Sequence, residues 1–189
     1  AEAEQLVTRL DGFDCFTFLD TVEALRRSTD AADFPVQMMQ VRYRDGMVSY
    51  ENRRHFFSDW VSDQESPVMD VTAIVGQGRE RHVRKRLNAK QAGALWLDGI
   101  DVVPRIITYI PASELDAKLL DALEPGDYVG VYSPLAGLDV SHTGLIVEAD
   151  GAIMLRHASS RGGVERIIDE ELVTYLRGTT GLIVYRVMQ

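Results

Sequence analysis

The stretch that decides the fold is residues 142–159, which read HTGLIVEADGAIMLRHAS. Asp150-Gly151 stands between two β-rich runs and is a strong signal for a hairpin with a two-residue turn. Side chains alternate between the faces of a strand, so pairing of the residues that flank this turn places His142 and His157 on one face. The hairpin therefore predicts that the two histidines are diagonal neighbours, roughly 7 to 8 Å apart at their Cα atoms.

This histidine pair has three interpretations. In the first, both rings are hydrogen-bonded and structural, although two imidazoles that meet over Gly144 are costly in a core because their nitrogens need partners. In the second, the pair binds a metal ion with Asp139 or His55 as a further ligand, but no recognised ligand spacing is present. In the third, the pair serves a nucleophile from elsewhere in the chain. No metal or other cofactor is predicted.

The candidate nucleophile is Cys15, the single cysteine of the chain. A helix is predicted over residues 14–27 with Asp14 as its N-cap. Backbone N–H groups at a helix start favour a thiolate, so we expect a lowered thiol pKa. Cys15 could instead be a small buried hydrophobe. In the catalytic interpretation Cys15 lies above the face that carries the histidines, His142 is its base and His157 orients the imidazole of His142.

The remaining pattern predicts an α+β fold, with helices first and a mostly antiparallel sheet after them. A single domain is expected, with a helical part over about 1–124 and a sheet part over about 125–189. Further helices are predicted at 79–90, 113–123 and 169–176. Strands are predicted at 100–110, with a break at Pro104, and at 127–132, 142–148, 152–158, 164–167 and 182–187.

Composition excludes several classes of partner. The 189 residues are 46% hydrophobic and carry a formal net charge of −9. Binding to nucleic acid or to an anionic membrane surface needs an excess of Lys and Arg, so neither partner is expected. No run approaches the roughly 20 apolar residues that span a bilayer, so no membrane insertion is expected. The oligomeric state is open, with a monomer favoured.

Four motifs give the chain a family resemblance. Asp-Cys at a helix start, Gly126-Asp127 before a strand, His-Thr-Gly at 142–144 and His157 resemble the pattern of NlpC-type papain-like cysteine peptidases and amidases. The blocks DCFTF (14–18), RHFFSDW (54–60), GLDVSH (137–142) and HASS (157–160) are more specifically similar to the bacterial N-acetylmuramoyl-L-alanine amidase-like family. The chain departs from that family at residues 16–20, and Phe56 stands where a tyrosine is common.

The resemblance implies a papain-like NlpC-type fold, in which a catalytic helix packs on a mostly antiparallel central sheet. It also implies hydrolysis of the amide between N-acetylmuramic acid and L-alanine, in peptidoglycan or muropeptides, through a thioester. The catalytic roles are carried over to Cys15, His142 and His157. One alternative is an endopeptidase that cuts the γ-D-glutamyl bond of the stem peptide, and another is a non-catalytic peptidoglycan-binding module.

Further polar and aromatic residues are candidates for binding the substrate. An Arg can clamp a carboxylate and a Trp offers a flat apolar face to a sugar. Asp14 is the N-cap alone or also holds a substrate amine, as the resemblance implies, and Trp60 could instead belong to the core. The expected compartment is the periplasm or another exported location in a bacterium, with the cytoplasm as the alternative. The substrate-binding candidates are Asp14, Thr17, Arg54, His55, Asp59, Trp60, Asp139, Ser141 and Ser159.

Overall fold

A computed structural model describes residues 3–62, 66, 68–159 and 163–188. Its helices are α1 (Cys15–Arg27), α2 (Phe34–Arg42), α3 (Thr72–Gly76), α4 (Ala117–Leu120) and α5 (Leu172–Leu176). Its strands are β1 (Val68–Asp70), β2 (Arg81–Leu87), β3 (Val103–Pro111), β4 (Tyr128–Tyr132), β5 (Val140–Ala149), β6 (Ala152–Ser159), β7 (Arg166–Glu171) and β8 (Gly181–Val187).

Within the described ranges, eight strands form an antiparallel sheet in a mixed α/β architecture. The strand order is β2-β3-β8-β4-β5-β6-β7, and β1 pairs with β8 beside this path. One edge of β8 pairs with β4, while β3 and β1 pair with opposite ends of β8. The antiparallel sheet expected for the second half of the chain is confirmed, and it also contains three strands from before residue 124.

The central strand β4 explains why the fold has helices on both faces of its sheet. All five residues of β4 are buried. Tyr128 and Tyr132 point to the face covered by α1 and α2, whereas Val129 and Val131 point to the face covered by α4 and α5. A strand that is buried on both faces has a nearly continuous apolar sequence, and the short apolar run of β4 predicts such a strand.

A buried ion pair joins helices α1 and α2, which cover the same face of the sheet. Arg42 of α2 donates from Nε to Asp20 Oδ2 of α1 at 2.9 Å, and both residues are buried. A second buried polar contact joins α1 to the sheet, because Tyr128 donates to Glu23 Oε2 at 2.7 Å. These contacts hold α1, and with it the start of the helix at Cys15, in one position relative to the sheet.

The helix predicted at 79–90 is wrong. This segment contains β2, which pairs with β3 from Arg81–Tyr109 to Leu87–Val103. Burial alternates along the second half of β2, since Lys85 and Leu87 are buried whereas Arg84 and Arg86 are exposed, which is the period of a strand. The many charged residues of the segment hid this alternation.

Three other predicted boundaries also shift. The strand predicted to break at Pro104 is continuous, since proline is its second residue and is tolerated there. The helix predicted at 113–123 is shorter, and α4 begins after Asp116, whose carboxylate accepts the N–H of Leu119. The helix predicted from 169 begins at Leu172 because β7 continues through Glu171.

Each helix in the described part of the chain is too short or too polar to reach across a lipid bilayer.

Candidate active site

The site begins at the first residue of α1, which is Cys15. Asp14 Oδ1 accepts the N–H groups of Phe16 at 2.9 Å and of Thr17 at 2.7 Å. Thr17 Oγ1 in turn accepts the backbone N–H of Asp14 at 3.0 Å, which completes a capping box. The predicted N-cap is confirmed, and it sets the position at which the cysteine leaves the loop and enters the helix.

Strand β5 holds this end of α1 directly. The buried Thr143 donates from Oγ1 to the carbonyl oxygen of Cys15 at 2.7 Å. Next to the cysteine, the ring of Phe16 contacts Phe57 and Trp60, with centroid distances of 6.3 and 5.9 Å. Hydrogen bonding on one side and aromatic packing on the other therefore fix the backbone that carries the thiol.

The histidine hairpin forms in the predicted register. β5 and β6 pair from Ala149–Ala152 through Leu145–Arg156. Further along these strands, His142 and His157 meet, and Nε2 of His142 lies 2.8 Å from Nδ1 of His157. The predicted contact between the two imidazoles is confirmed.

A further hydrogen bond joins His157 to Glu170, a residue that the sequence pattern does not single out. His157 Nε2 lies 3.0 Å from Glu170 Oε1 on β7. Tyr175 of α5 packs on both imidazoles, with centroid distances of 4.9 Å to His157 and 5.8 Å to His142. The helix predicted over 169–176 hides this contact, because only a strand that extends through residue 170 brings Glu170 beside His157.

The placement of Cys15 above the face that carries the histidines stays a prediction, and the sheet faces and one shared cavity bear on it. Helix α1 packs on the sheet face of Leu145 and Ala158, whereas the imidazoles and Tyr175 belong to the opposite face. Cys15 and His142 line one cavity at the end of the sheet. Alternation within a hairpin places two side chains together, but it does not say which face a distant helix will cover.

This cavity has a volume of about 690 Å³. Its walls come from the segment before α1, from the start of that helix and from β5, β6 and the region at the start of β7. The lining residues are Leu10, Asp11, Gly12, Phe13, Asp14, Cys15, His142, Ala158, Ser159, Glu165, Arg166 and Ile167.

Burial raises the pKa of the Cys15 thiol above its ordinary value. Hydrogen bonds from Thr143 oppose this shift, and the negative charge of Asp14 adds to it. The expected lowering of the thiol pKa is therefore wrong. A raised pKa favours the protonated thiol, so a base that takes the proton is needed to make Cys15 a nucleophile.

Four of the predicted substrate residues lie near this region, and one of them, Asp14, lines the cavity beside Cys15. Ser159 is buried and lines the cavity with Cys15. Ser141 lines a smaller cavity of about 260 Å³ together with both histidines. Thr17 is occupied by the capping box and lines a separate groove. Ser160, the last residue of the 157–160 block, lies outside the described residues.

Two other predicted substrate residues, Arg54 and His55, bond to backbone carbonyl oxygens of the protein. Arg54 donates from Nη1 to three carbonyl oxygens at the end of α2, those of Gln40, Val41 and Tyr43, at 2.9 to 3.0 Å. His55 Nε2 lies 2.8 Å from the carbonyl oxygen of Tyr50, and burial lowers the pKa of this imidazole. Neither residue lines the cavity that contains Cys15.

Asp59, Trp60 and Asp139 are buried away from the cavity that contains Cys15. Asp59 pairs with Arg105 at 2.8 Å. Asp139 accepts the N–H of Ser58 at 2.7 Å, and burial raises the pKa of its carboxyl group. Trp60 belongs to the aromatic core, as its alternative interpretation predicted. Among the described side chains, no group of three or more His, Cys, Asp or Glu residues is arranged to hold a metal ion.

The fold and the site define a mixed α/β protein with a cysteine at a helix start and an imidazole pair on an antiparallel sheet. A family model described as AmiA-like, N-acetylmuramoyl-L-alanine amidase-like, matches residues 1–182, and the chain belongs to this family. No curated protein matches the sequence significantly.

Solved structures share the fold over nearly the whole chain. A structure described as an N-acetylmuramoyl-L-alanine amidase from Bacteroides uniformis has a TM-score of 0.80 at 23% identity, with coverage of 100% of this chain and 90% of that one. A second structure with the same description and organism has a TM-score of 0.79 at 25% identity, covering 100% and 88%. A Legionella pneumophila protein of the DUF1460 family has a TM-score of 0.78 at 21% identity, covering 96% and 77%.

Proposed function

We propose that this protein is an NlpC-type, papain-like cysteine amidase that hydrolyses the bond between N-acetylmuramic acid and L-alanine in peptidoglycan or muropeptides. The main support is the shared cavity of Cys15 and His142, in which the base candidate is hydrogen-bonded to a second imidazole at 2.8 Å. Membership of the amidase-like family supports the choice of bond. The names of the Bacteroides uniformis structures agree with this choice.

In the first half of the reaction, the sulfur of Cys15 attacks the carbonyl carbon of the lactyl amide. His142 takes the thiol proton as the S–C bond forms, because burial raises the pKa of the thiol and so favours its protonated form. The same proton passes to the nitrogen of L-alanine as the C–N bond breaks. The products of this half are a thioester between Cys15 and the muramoyl group, and a peptide with a free amino end.

In the second half, water attacks the thioester carbonyl. His142 takes a proton from the water and returns it to the sulfur, so the thiol is regenerated and the muramoyl carboxylic acid is released. The capping box engages the N–H groups of Phe16 and Thr17, but not that of Cys15. The Cys15 N–H at the helix start can therefore stabilise the oxyanion in both halves.

Mass spectrometry of a defined N-acetylmuramoyl peptide after incubation with the protein tests this proposal. The expected products are the muramoyl sugar with a free lactyl carboxylate and a peptide that begins with L-alanine. Cys15→Ala and His142→Gln should each lower the rate by at least about a thousandfold while the protein remains folded. The control is His82→Gln, because His82 is exposed on β2 and should leave the rate unchanged.

Two other results would contradict the proposed bond or the proposed reaction. Release of a sugar that carries L-alanine and D-glutamate would assign the protein as an endopeptidase acting on the stem peptide. Binding of the muropeptide with no product would assign it as a peptidoglycan-binding module. Hydrolysis that survives treatment with iodoacetamide would exclude Cys15 as the nucleophile.

A further inference from the structure

We propose that Glu170 is a positioning residue of this site, which acts through His157 to set the protonation of His142 toward Cys15. The inference rests on the proposed cysteine chemistry and assigns a fourth residue to it. Glu170 reaches the site from β7, the last strand on this side of the sheet.

The contact is built into the pairing of β6 with β7. Leu155 is the partner of Glu170 and His157 is the partner of Ile168, so Glu170 is a diagonal neighbour of His157. A long side chain spans this diagonal, and the carboxylate oxygen lies 3.0 Å from His157 Nε2. His157 is 1% exposed and the Glu170 side chain is 34% exposed, so the bond lies at the boundary between the core and solvent.

The carboxylate of Glu170 determines the direction of both hydrogen bonds in this series, the one to His157 and the one between the two histidines. An ionised carboxylate only accepts, so His157 must carry its proton on Nε2 and present a lone pair at Nδ1. His142 must then carry its proton on Nε2 to donate to that lone pair across 2.8 Å. Nδ1 of His142 is consequently the unprotonated nitrogen and the atom that accepts the thiol proton.

Packing keeps the two imidazole rings in the orientation that these two hydrogen bonds need. The ring of Tyr175 contacts both imidazoles, and the planes of the two imidazoles are 85° apart. Rotation of either ring would break the hydrogen bond between them. Tyr175 thus restrains ring orientation, while Glu170 selects which nitrogen of each ring is protonated.

Other charged groups near the pair do not replace Glu170. Asp169 on β7 interacts electrostatically with His157, but both of its oxygens are engaged by Arg156 at 2.8 Å. Among the described residues, the titratable and charged groups around the pair are Glu170, Asp169 and Arg166 of β7, Glu165 before it, Arg156 of β6, Tyr175 of α5, and Asp14 and Cys15 at the start of α1.

The same carboxylate stabilises the charged state of the reaction. When Cys15 transfers its proton, the histidine pair becomes positively charged next to Glu170, and an opposite charge at this distance favours the charged form. Loss of the carboxylate therefore makes thiolate formation less favourable. The apparent pKa for reaction of the thiol should rise when Glu170 is neutralised.

The test is the rate at which iodoacetamide alkylates Cys15, measured across pH in wild type and in Glu170→Gln. Because the chain has one cysteine, alkylation reports on this thiol alone. We expect Glu170→Gln to slow alkylation at pH 7 about tenfold and to move the midpoint of the profile up by about one pH unit. The control is Glu148→Gln, an equal charge change at an exposed position on β5, which should match wild type.

Muropeptide hydrolysis is measured beside alkylation so that the two proposals fail separately. Glu170→Gln should lower kcat/KM about 10- to 100-fold, less than removal of the nucleophile or base, because Glu170 acts through one intervening ring. An alkylation profile identical to wild type would overturn the role of Glu170, whether or not the wild type is an amidase. A shifted profile in a protein without hydrolytic activity would support the role of Glu170 and overturn the proposed function.

Nuclear magnetic resonance of ¹⁵N-labelled imidazoles in the wild type gives a second readout that needs no variant. Protons on Nε2 of both His142 and His157 are expected at neutral pH. A proton on Nδ1 of either neutral ring would overturn the inference, because the chain of donors would then run in the opposite direction.

Discussion

The N-cap of α1 allows the structural and electrostatic roles of Asp14 to be separated by substitution. Its carboxylate accepts two backbone N–H groups at 2.7 and 2.9 Å, and its charge raises the pKa of the adjacent thiol. Asp14→Ala removes both the hydrogen-bond acceptor and the charge. Asp14→Asn keeps an acceptor in the same place and removes only the charge.

The expected loss of stability follows from the cap alone. Replacing an N-cap Asp by Ala costs about 1 kcal/mol, and Asn is an equally good cap. For a protein of this size, 1 kcal/mol corresponds to a decrease in Tm of about 2 to 4 °C. Asp14→Ala should therefore melt about 2 to 4 °C below wild type, and Asp14→Asn should melt close to wild type.

The effect of Asp14 on the pKa of the Cys15 thiol depends on its charge, so Asp14→Asn, which leaves the cap intact, should change it. Removing the negative charge favours the thiolate, so the pKa of Cys15 falls and the profile of alkylation against pH moves to lower pH. Asp14→Asn should show this shift without a loss of stability. The measurements are thermal unfolding by circular dichroism and the rate of iodoacetamide alkylation between pH 6 and pH 10.

Two results would refute this reasoning. Equal melting temperatures for wild type and Asp14→Ala would mean that the capping bonds do not stabilise α1. An unchanged alkylation profile in Asp14→Asn would mean that the charge does not act on the thiol. A higher KM for muropeptides in Asp14→Asn, at an unchanged Tm, would show that Asp14 also contacts the substrate.

Two further substitutions test structural roles. Arg54→Gln should lower stability by about 1 to 3 kcal/mol without changing KM, because it removes a cation from three helix-end carbonyls. The control is Arg53→Gln, which removes a partly exposed ion pair of 3.6 Å and should cost less than about 1 kcal/mol. A changed KM with normal stability would instead indicate that Arg54 contacts the substrate. Gly130→Ala should lower stability by about 1 to 3 kcal/mol in thermal unfolding, because its Cβ would lie 2.5 Å from Val140 Cγ1. The control is Gly12→Ala, whose Cβ would meet nothing closer than 3.6 Å, and this variant should melt like wild type.

The features that could be predicted from sequence depend on short-range rules. The turn at Asp150-Gly151 sets the register of β5 and β6, and that register brings His142 and His157 together. The helix start at Cys15 follows from the capping preference of the residue before it. Each of these predictions concerns residues within one hairpin or one helix turn, where local geometry has few alternatives.

The features that could not be predicted depend on contacts between distant segments. The pattern of residues 79–90 predicts a helix where β2 forms, because the partner strand β3 lies beyond an intervening loop and the local sequence does not reveal that pairing. Arg54, Asp59 and Trp60 have the chemistry of a binding cleft, but the folded chain uses them in a helix cap, a buried ion pair and the aromatic core. Residue type alone does not distinguish a side chain that faces a ligand from one that satisfies a buried neighbour.

By itself, the sequence determined that this protein has a cysteine at a helix start and two histidines in contact on a hairpin, because capping and strand alternation act over a few residues. Only the tertiary structure decided that α1 and the imidazoles occupy opposite faces of the sheet, with Cys15 and His142 in one cavity at its end. The structure alone also placed Glu170 beside His157. These arrangements depend on which surfaces become buried when the whole chain folds, and no local pattern contains that information.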